Sequence, residues 1–382
     1  MSKTRSANNM GTVRKRPDGR WEGRYTAPDG KQHSVYAKSS AACTAALRAA
    51  QNEVDSGLWV EPSELTVEEW LRIWLKDYQG HTSERTINKY RSMANSQFIP
   101  SLGKVKVSKL LPFHVRHLIS DMQENGLKAS TIDNYFRVFK TSINCAIEAG
   151  LIKSNPALRV KSPRPSPNKF TIIDRTELPA FFAAAEKQRY SNELLFMILT
   201  GLRVGEVRGL KWGDIDFKAG TIHVQRQLQP KIKQLKQITP PKYGEDRLLH
   251  VAKEVITALT NQKKKQAEQR LAAGAEWIED ETTRDLVFRQ RSGAAHTRGT
   301  IDRAVKAVGR EIGKPDIHPH DLRHSYAIAA LRSGANVKTV QYNLGHKTAK
   351  MTLDIYVAYT EDTGKNDALK LSAYLDGISG KS

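Results

Sequence analysis

Between residues 161 and 169 the chain reads KSPRPSPNK, three prolines within five residues. Proline has no N–H and holds φ near −65°, so neither a helix nor a central strand runs through such a stretch. The segment is an extended linker and marks a domain boundary. Whatever lies on either side must build its own core, and 382 residues leave room for two or three.

Upstream of the linker, residues 65–162 carry the helical period. LTVEEWLRIWLKDY opens with a capping box, Thr66 and Glu69, and sets Val67, Trp70, Leu71 and Trp74 on one stripe. TINKYRSMANSQF, LPFHVRHLISDMQENG and STIDNYFRVFKTSINCAIEAG continue the pattern, the last two closing at Gly126 and Gly150. The aromatic residues of this segment are core. Lys104, Lys106, Lys109, Arg116, Lys128, Arg137 and Lys140 form a solvated face or a set of phosphate contacts.

Earlier still, residues 11–37 contain Pro-Asp-Gly twice, which predicts three short strands joined by two tight turns. In the middle strand Trp21, Gly23 and Tyr25 share one face, and Arg20, Glu22, Arg24 and Thr26 the other. The first face suits the helix predicted for SSAACTAALRAAQNEVDSG, ending near Gly57. The second, with Arg14 and Arg16 nearby, can enter a DNA groove as β-ribbon readers do. It can equally stand as a solvated basic surface. Arg14, Arg16, Arg20 and Arg24 are therefore candidate DNA-binding residues.

After the linker, helices and a small sheet alternate. RTELPAFFAAAEKQ and NELLFMILTGLRVGEVRGL read as helical, GTIHVQRQ and DRLLHV as short strands around a lysine-rich connection. From TRGTIDRAVKAVGREIG onward the chain is again mostly helical. The expected architecture is mainly α with small β elements, in three domains at 1–60, 61–162 and 163–382.

Charge narrows the partner. The chain has 61 Lys and Arg against 40 Asp and Glu, a formal net charge of +21, and the excess is present in all three segments. A polyanion contacted along the molecule fits this, and nucleic acid is the commonest one. Charge alone is also compatible with a merely soluble basic protein. Cys43 and Cys145 are too few for a disulfide framework and lack metal-ligand spacing. MSKTRSANNMGTVRKRPDG has no apolar core of a signal peptide, and no apolar run reaches the length of a membrane span. A cytoplasmic protein without a membrane partner is expected.

Three separated stretches carry chemistry. In TGLRVGEVRGLKWGDID, Gly201 and Gly205 frame Arg203 inside an apolar helical run, with Glu206 the obvious salt-bridge partner. In HPHDLRHSYA, His320 and Arg323 are three residues apart on a helix whose start carries Asp321; the bland alternative is a surface helix with two satisfied histidines. In LGHKTAKMTLDIYVAYT, His346 precedes Tyr356 by ten residues, and Tyr359 comes one turn later.

Together, TGLRVGE, HDLRHSYA, LGH and TLDIY resemble the active site of the tyrosine recombinases, the lambda-integrase family. The resemblance covers residues 61–382, a helical core-site DNA-binding domain followed by the catalytic domain. Residues before 61 look like the arm-site-binding domain of phage and conjugative-transposon integrases. The family implies catalytic roles for Arg203, His320, Arg323, His346 and Tyr356, and a lysine in a β-hairpin turn. PPKYGEDRLLHV fits that turn and selects Lys242, with Lys231, Lys233 and Lys236 as rivals. The ten-residue step selects Tyr356 over Tyr359 as nucleophile.

In that chemistry Arg203 and Arg323 hold the non-bridging phosphate oxygens, His320 takes the tyrosine proton, Lys242 protonates the leaving oxygen and His346 bonds the phosphate. Two guanidiniums do the charge work of a metal ion, and the phosphotyrosine conserves the bond energy. No cofactor, metal or ATP is implied. The expected partners are double-stranded DNA at core and arm sites, a homotetramer on DNA, an excisionase and a host DNA-bending protein.

The rival functions are a metal-dependent nuclease using Asp214 and Asp216, an Xer-type chromosome or plasmid dimer resolvase, and a catalytically silent DNA-binding accessory protein. Asp214 and Asp216 read better as turn and capping residues, no catalytic box is missing, and the basic module before residue 61 favours a mobile-element integrase.

Overall fold

Both Pro-Asp-Gly turns fold as their chemistry dictates. Asp18 and Asp29 accept hydrogen bonds from the backbone N–H two residues on, Arg20 at 3.1 Å and Lys31 at 2.9 Å, which closes a turn locally. The strands so joined, β1 (Thr12–Lys15), β2 (Trp21–Thr26) and β3 (Gln32–Ala37), form an antiparallel sheet in that order. Gly23 lies opposite Val13 and Val35. Its face packs on α1 (Ser40–Asp55), N-capped by Ser39; a Cβ at Gly23 would lie 3.1–3.3 Å from Val35, Cys43 and Leu47.

The opposite face is organised around Glu22, which is only 2% exposed. Arg14 donates to its carboxylate at 2.7 Å and Ser34 at 3.1 Å, and Arg24 stands 3.3 Å away. The hydrogen bond from Arg14, with those from Arg24 and Ser34, pulls the Glu22 carboxyl down to about 2 against the opposing effect of burial. Arg20 clasps Asp18 at 2.7 Å, and Arg16 lies 3.8 Å from Asp18 and 3.9 Å from Glu22. The four arginines stand near the predicted face, each tied to a carboxylate.

The structure is a computed structural model that describes residues 11–57, 63–77, 80, 82–166, 170–230, 238–241 and 246–359. The chain divides into two compact units, Met1–Asn168 and Lys169–Ser382. In the first, the sheet and α1 precede a bundle of α2 (Val67–Asp77), α3 (Glu84–Met93), α4 (Ile99–Leu102), α5 (Pro112–Glu124) and α6 (Ala129–Glu148). The capping box forms: Glu69 accepts from the Thr66 N–H at 2.8 Å, and Thr66 from the Glu69 N–H at 3.3 Å. Val67, Trp70, Leu71 and Trp74 are at most 1% exposed. Each large apolar side chain buried this way contributes about 1.5–3 kcal/mol, and the Trp70 indole also donates to the Ser142 carbonyl at 3.0 Å. Among the described residues, none before Val67 belongs to this core.

One element departs from the expected run. TINKYRSMANSQF passes into a π-helical turn at Ala94–Phe98 before α4. The widening directly precedes Pro100, whose ring would strike the carbonyl four residues back in a regular helix.

The second unit contains α7 (Leu178–Glu186), α8 (Ser191–Thr200), α9 (Val204–Gly209), β4 (Ile215–Asp216), β5 (Thr221–Val224), β6 (Gln227–Leu228), β7 (Ile238–Thr239) and β8 (Arg247–His250). It continues with α10 (Lys253–Ala273), α11 (Arg298–Glu311), α12 (Pro319–Arg332), α13 (Val337–Leu344) and α14 (Ala349–Tyr359). β4, β5 and β8 form one antiparallel sheet and β6 and β7 a second. Helix α8 lies against α7, α10 and α12 and carries Leu194, Phe196, Met197 and Ile198 into the core.

The expected single helix across NELLFMILTGLRVGEVRGL is broken, and Arg203 sits at the break. Gly201 adopts φ +63°, and a Cβ there would come within 2.4 Å of the Tyr326 ring. Buried residues continue on both sides of the break, Phe196, Met197 and Ile198 before it and Glu206 and Val207 after it, which is why the pattern reads as one helix.

Asp214 accepts from the Lys211 N–H and the Gln225 amide, both at 2.8 Å, and pairs with Arg226. Asp216 accepts from the N–H groups of Lys218 at 2.9 Å and Ala219 at 2.8 Å. Both act as turn residues. Among the described residues no helix is long and apolar enough to cross a membrane.

Candidate active site

The last carbonyls of an α-helix have no partner within the helix and carry its negative dipole end. At the end of α13 they are taken by three arginines from distant parts of the chain. Asn343 O accepts from Arg247 Nε of β8 at 2.8 Å, Leu344 O from Arg323 Nη2 of α12, and Gly345 O from Arg203 Nη2 at 2.7 Å. Gly345 closes the helix at φ +61°, and a Cβ on it would stand 3.0 Å from Arg247 Nη1 and 3.3 Å from Arg203 Nη1. Only glycine lets the guanidiniums come this close.

Glu206 is the counter-charge. Its Oε1 accepts from Arg203 Nη1 at 3.0 Å and Arg247 Nη1 at 3.1 Å, and its Oε2 from the Arg203 N–H and Arg247 Nη2, both at 2.9 Å. Burial raises the pKa of this fully enclosed carboxyl, but the hydrogen bonds from Arg247 and the two guanidinium charges outweigh it and hold it below the ordinary value. Glu206 thus pairs with Arg203, as its spacing predicts, and with Arg247 as well.

Arg323 is 1% exposed and pairs with no carboxylate of its own among the described residues; its Nη1 donates to Gly201 O at 2.8 Å. Its Nε is buried with no hydrogen-bond partner among them. Burial, then the neighbouring Arg203 charge, pushes its pKa down to about 9, which still leaves it a cation at neutral pH. Arg203 and Arg323 are therefore two cations side by side, sharing one carboxylate with Arg247.

The histidines line the same region. His346 is buried with Nδ1 2.9 Å from Thr352 Oγ1. Burial, then the charges of Arg323 and Arg203, lowers its pKa to about 3, so it is neutral at pH 7. His320 is exposed in the first turn of α12, its ring 4.5 Å from that of His324. His324 is buried against Phe170, with ring centroids 4.4 Å apart, and burial lowers its pKa to about 3. Helix α12 is buried along Leu322, Arg323, His324 and Ser325, so the alternative of a surface helix does not hold.

Tyr356 is half-buried on α14, four residues after Thr352, which puts it on the same helix face as the residue that engages His346. Ile355 anchors that helix against Ile172 and Ile328. Arg203, Arg323 and His346 converge at the end of α13, and His320 shares α12 with Arg323. Lys242, its rivals Lys231, Lys233 and Lys236, and the Tyr359 side chain lie outside the described residues.

Arg247 is the residue sequence reasoning missed. Its signal was present: in RLLH it alternates with Leu249 on the buried side of β8, and an arginine on the apolar side of a strand needs a buried partner.

Residues 171–362 match the phage integrase family, and residues 66–123 match the N-terminal SAM-like domain of phage integrases. The chain belongs to the phage integrase family. This integrase is 26% identical over 337 residues to a XerC-like tyrosine recombinase of Caldanaerobacter subterraneus subsp. tengcongensis, spanning 80% of this chain and 82% of that one. It is 26% identical over 288 residues to the transposase of transposon Tn916 from Enterococcus faecalis, spanning 71% and 69%. Its fold is similar to that of the Tn1549 transposon integrase solved with a circular intermediate DNA. The TM-score is 0.70 at 21% identity, over 81% of this chain and 100% of that one. The expected mainly helical, multidomain recombinase architecture is the one observed, and the chain is a site-specific tyrosine recombinase of the integrase type.

Proposed function

We propose that this integrase cuts and rejoins double-stranded DNA through a 3′-phosphotyrosine on Tyr356, integrating and excising a mobile element such as a prophage or conjugative transposon. The observation that carries the reading is the seat at the end of α13, where Arg203 and Arg323 are fixed beside His346 with less negative charge than they need. A phosphodiester supplies the missing charge. Arg203 and Arg323 hold its non-bridging oxygens, and a donor of this kind is worth about 10²–10³ in rate. His346, neutral at pH 7, bonds the phosphate without adding a charge.

The Tyr356 oxygen attacks phosphorus, the bond to the 5′-oxygen breaks, and a Tyr–O–P bond replaces it. His320 takes the phenol proton and Lys242 delivers one to the leaving 5′-oxygen. Rejoining is the reverse attack by a 5′-hydroxyl. Each step exchanges one phosphoester for another, so no ATP is required.

The three-domain division at 1–60, 61–162 and 163–382 belongs to the same proposal. The sheet with Arg14, Arg16, Arg20 and Arg24 binds arm sites, the helical bundle binds core sites, and the protein works as a tetramer on DNA with an excisionase and a host DNA-bending protein. The separate packing of that sheet on α1 supports a mobile-element integrase over an Xer-type dimer resolvase. The test uses a nicked suicide duplex carrying the element's junction. The wild type forms a covalent adduct, Tyr356→Phe binds the duplex without forming one, and Tyr359→Phe retains it. An adduct that maps to Tyr359, or persists in Tyr356→Phe, overturns the assignment.

A further inference from the structure

Beside Arg203 and His320 runs a groove of about 670 Å³ whose charge the site chemistry does not use. Arg208, Arg298 and Lys306 line it, and Asp302 is its one carboxylate among the described residues. Such a volume falls within the range of about 300–1,000 Å³ that holds whole ligands.

Arg208 is the informative residue. It is 5% exposed, on α9, and its guanidinium is fixed by two carbonyls: Nε donates to His296 O at 2.7 Å and Nη1 to Leu228 O at 3.1 Å. A guanidinium has five N–H donors, so three have no protein acceptor among the described residues. No carboxylate there pairs with it, and burial, together with the charge of Arg298, disfavours its cationic form. Among the described residues the one carboxylate paired with Arg298 is Asp302, at 4.0 Å. A buried cation without a counter-ion costs several kcal/mol. Arg208 so held lines the groove together with two further cations and Arg203.

We propose that this groove binds a second backbone phosphate of the DNA strand, next to the scissile one. Arg208 gives the directed hydrogen bonds, and Arg298 and Lys306 supply charge from the rim. The inference rests on the DNA-cleaving reading and adds a contact that no catalytic role requires. It explains why a cation is retained inside α9, where an aliphatic side chain would pack at lower cost. Because the contact is with a phosphate, it sets the register of the strand on the site without reading bases.

The test replaces single phosphates by neutral methylphosphonates, one at a time within three nucleotides on either side of the scissile position of the junction duplex. Binding of the full chain is measured by filter retention. The wild type should show one non-scissile position where neutralisation weakens binding about tenfold, the size of one lost charged hydrogen bond. In Arg208→Gln, and in the doubly substituted Arg298→Gln/Lys306→Gln protein, that loss should shrink below twofold. The double variant should also show a slope of log affinity against log salt shallower by about one.

If no such position exists in the wild type, or both variants keep the full loss, the proposal fails. The double variant changes only exposed residues, so it decides the matter even where Arg208→Gln does not fold. Adduct formation on the unmodified duplex is scored separately, which distinguishes failure of this phosphate site from failure of the recombinase assignment.

Discussion

Replacing Glu206 by glutamine tests the charge arrangement of the site at its centre. The carboxylate accepts four hydrogen bonds, two on each oxygen, from Arg203 and Arg247. A glutamine keeps one oxygen and puts an NH₂ where the other stood, so two acceptances become donor–donor conflicts. The negative charge goes as well, leaving Arg203, Arg247 and Arg323 without a shared counter-ion. Two charged hydrogen bonds at about 1.5–3 kcal/mol each, or a buried ion pair broken from one side, both point to about 3–5 kcal/mol.

Hydrogen exchange across a urea series, read on peptides covering α9 and β8, reports the unit that holds the site. At about 2 kcal/mol per molar urea, the protection midpoint should fall by about 2 M at pH 7. The pH dependence has a definite sign. The folded carboxyl titrates below its ordinary value of 4.5, so its contribution is complete above that pH and is lost as pH falls through the folded value. The gap between wild type and variant should therefore narrow below pH 4.5. Equal midpoints at pH 7, or a gap that widens in acid, would refute the reasoning.

Other substitutions reach the same site from different sides. Arg203→Lys and Arg323→Lys keep the charge but lose the planar fork; single-turnover adduct formation should drop at least about 100-fold while gel-shift affinity stays near wild type. Gly345→Ala should lower adduct formation because its Cβ meets Arg247 and Arg203. Gly30→Ala, at φ +75° in open space, should show only the backbone cost of about 1–2 kcal/mol and leave adduct formation unchanged. His324 titrates near 3 when folded against 6.5 in the open chain, so stability should fall as pH drops from 6.5 by up to about 1.4 kcal/mol per pH unit. A melting series of His324→Leu should show that acid limb flattened.

What was legible in the sequence was what is written locally. The Thr66–Glu69 box, the stripe of Val67, Trp70, Leu71 and Trp74, and the two faces of β2 come from periods of 3.6 and 2, and they appear where those periods put them. The motif residues Arg203, His320, Arg323, His346 and Tyr356 were visible only because four short boxes stand in a known order. Their shared seat was not visible: Arg203 meets Gly345 across 142 positions and Arg247 meets Asn343 across 96, and no local period encodes such a meeting. The break at Gly201 was hidden for the opposite reason, since an unbroken apolar pattern outvoted a single glycine. Arg208 carries no local signal of its own, and only its burial sets it apart.

The seat at the end of α13 also decides which changes of length the chain can absorb. Carbonyls 343, 344 and 345 each hold one arginine, and the residues from His346 to Thr348 carry the chain on to the helix that bears Tyr356. A residue inserted in α13 before Asn343 would turn all three acceptors by about 100° and leave every guanidinium facing the wrong atom. One inserted after Ile355 would keep the cations seated, leave Thr352 on His346, and move only the tyrosine and the residues beyond it. Over evolutionary time the first kind of change is closed to this chain, while the second can re-place Tyr356 without dismantling the seat beside it.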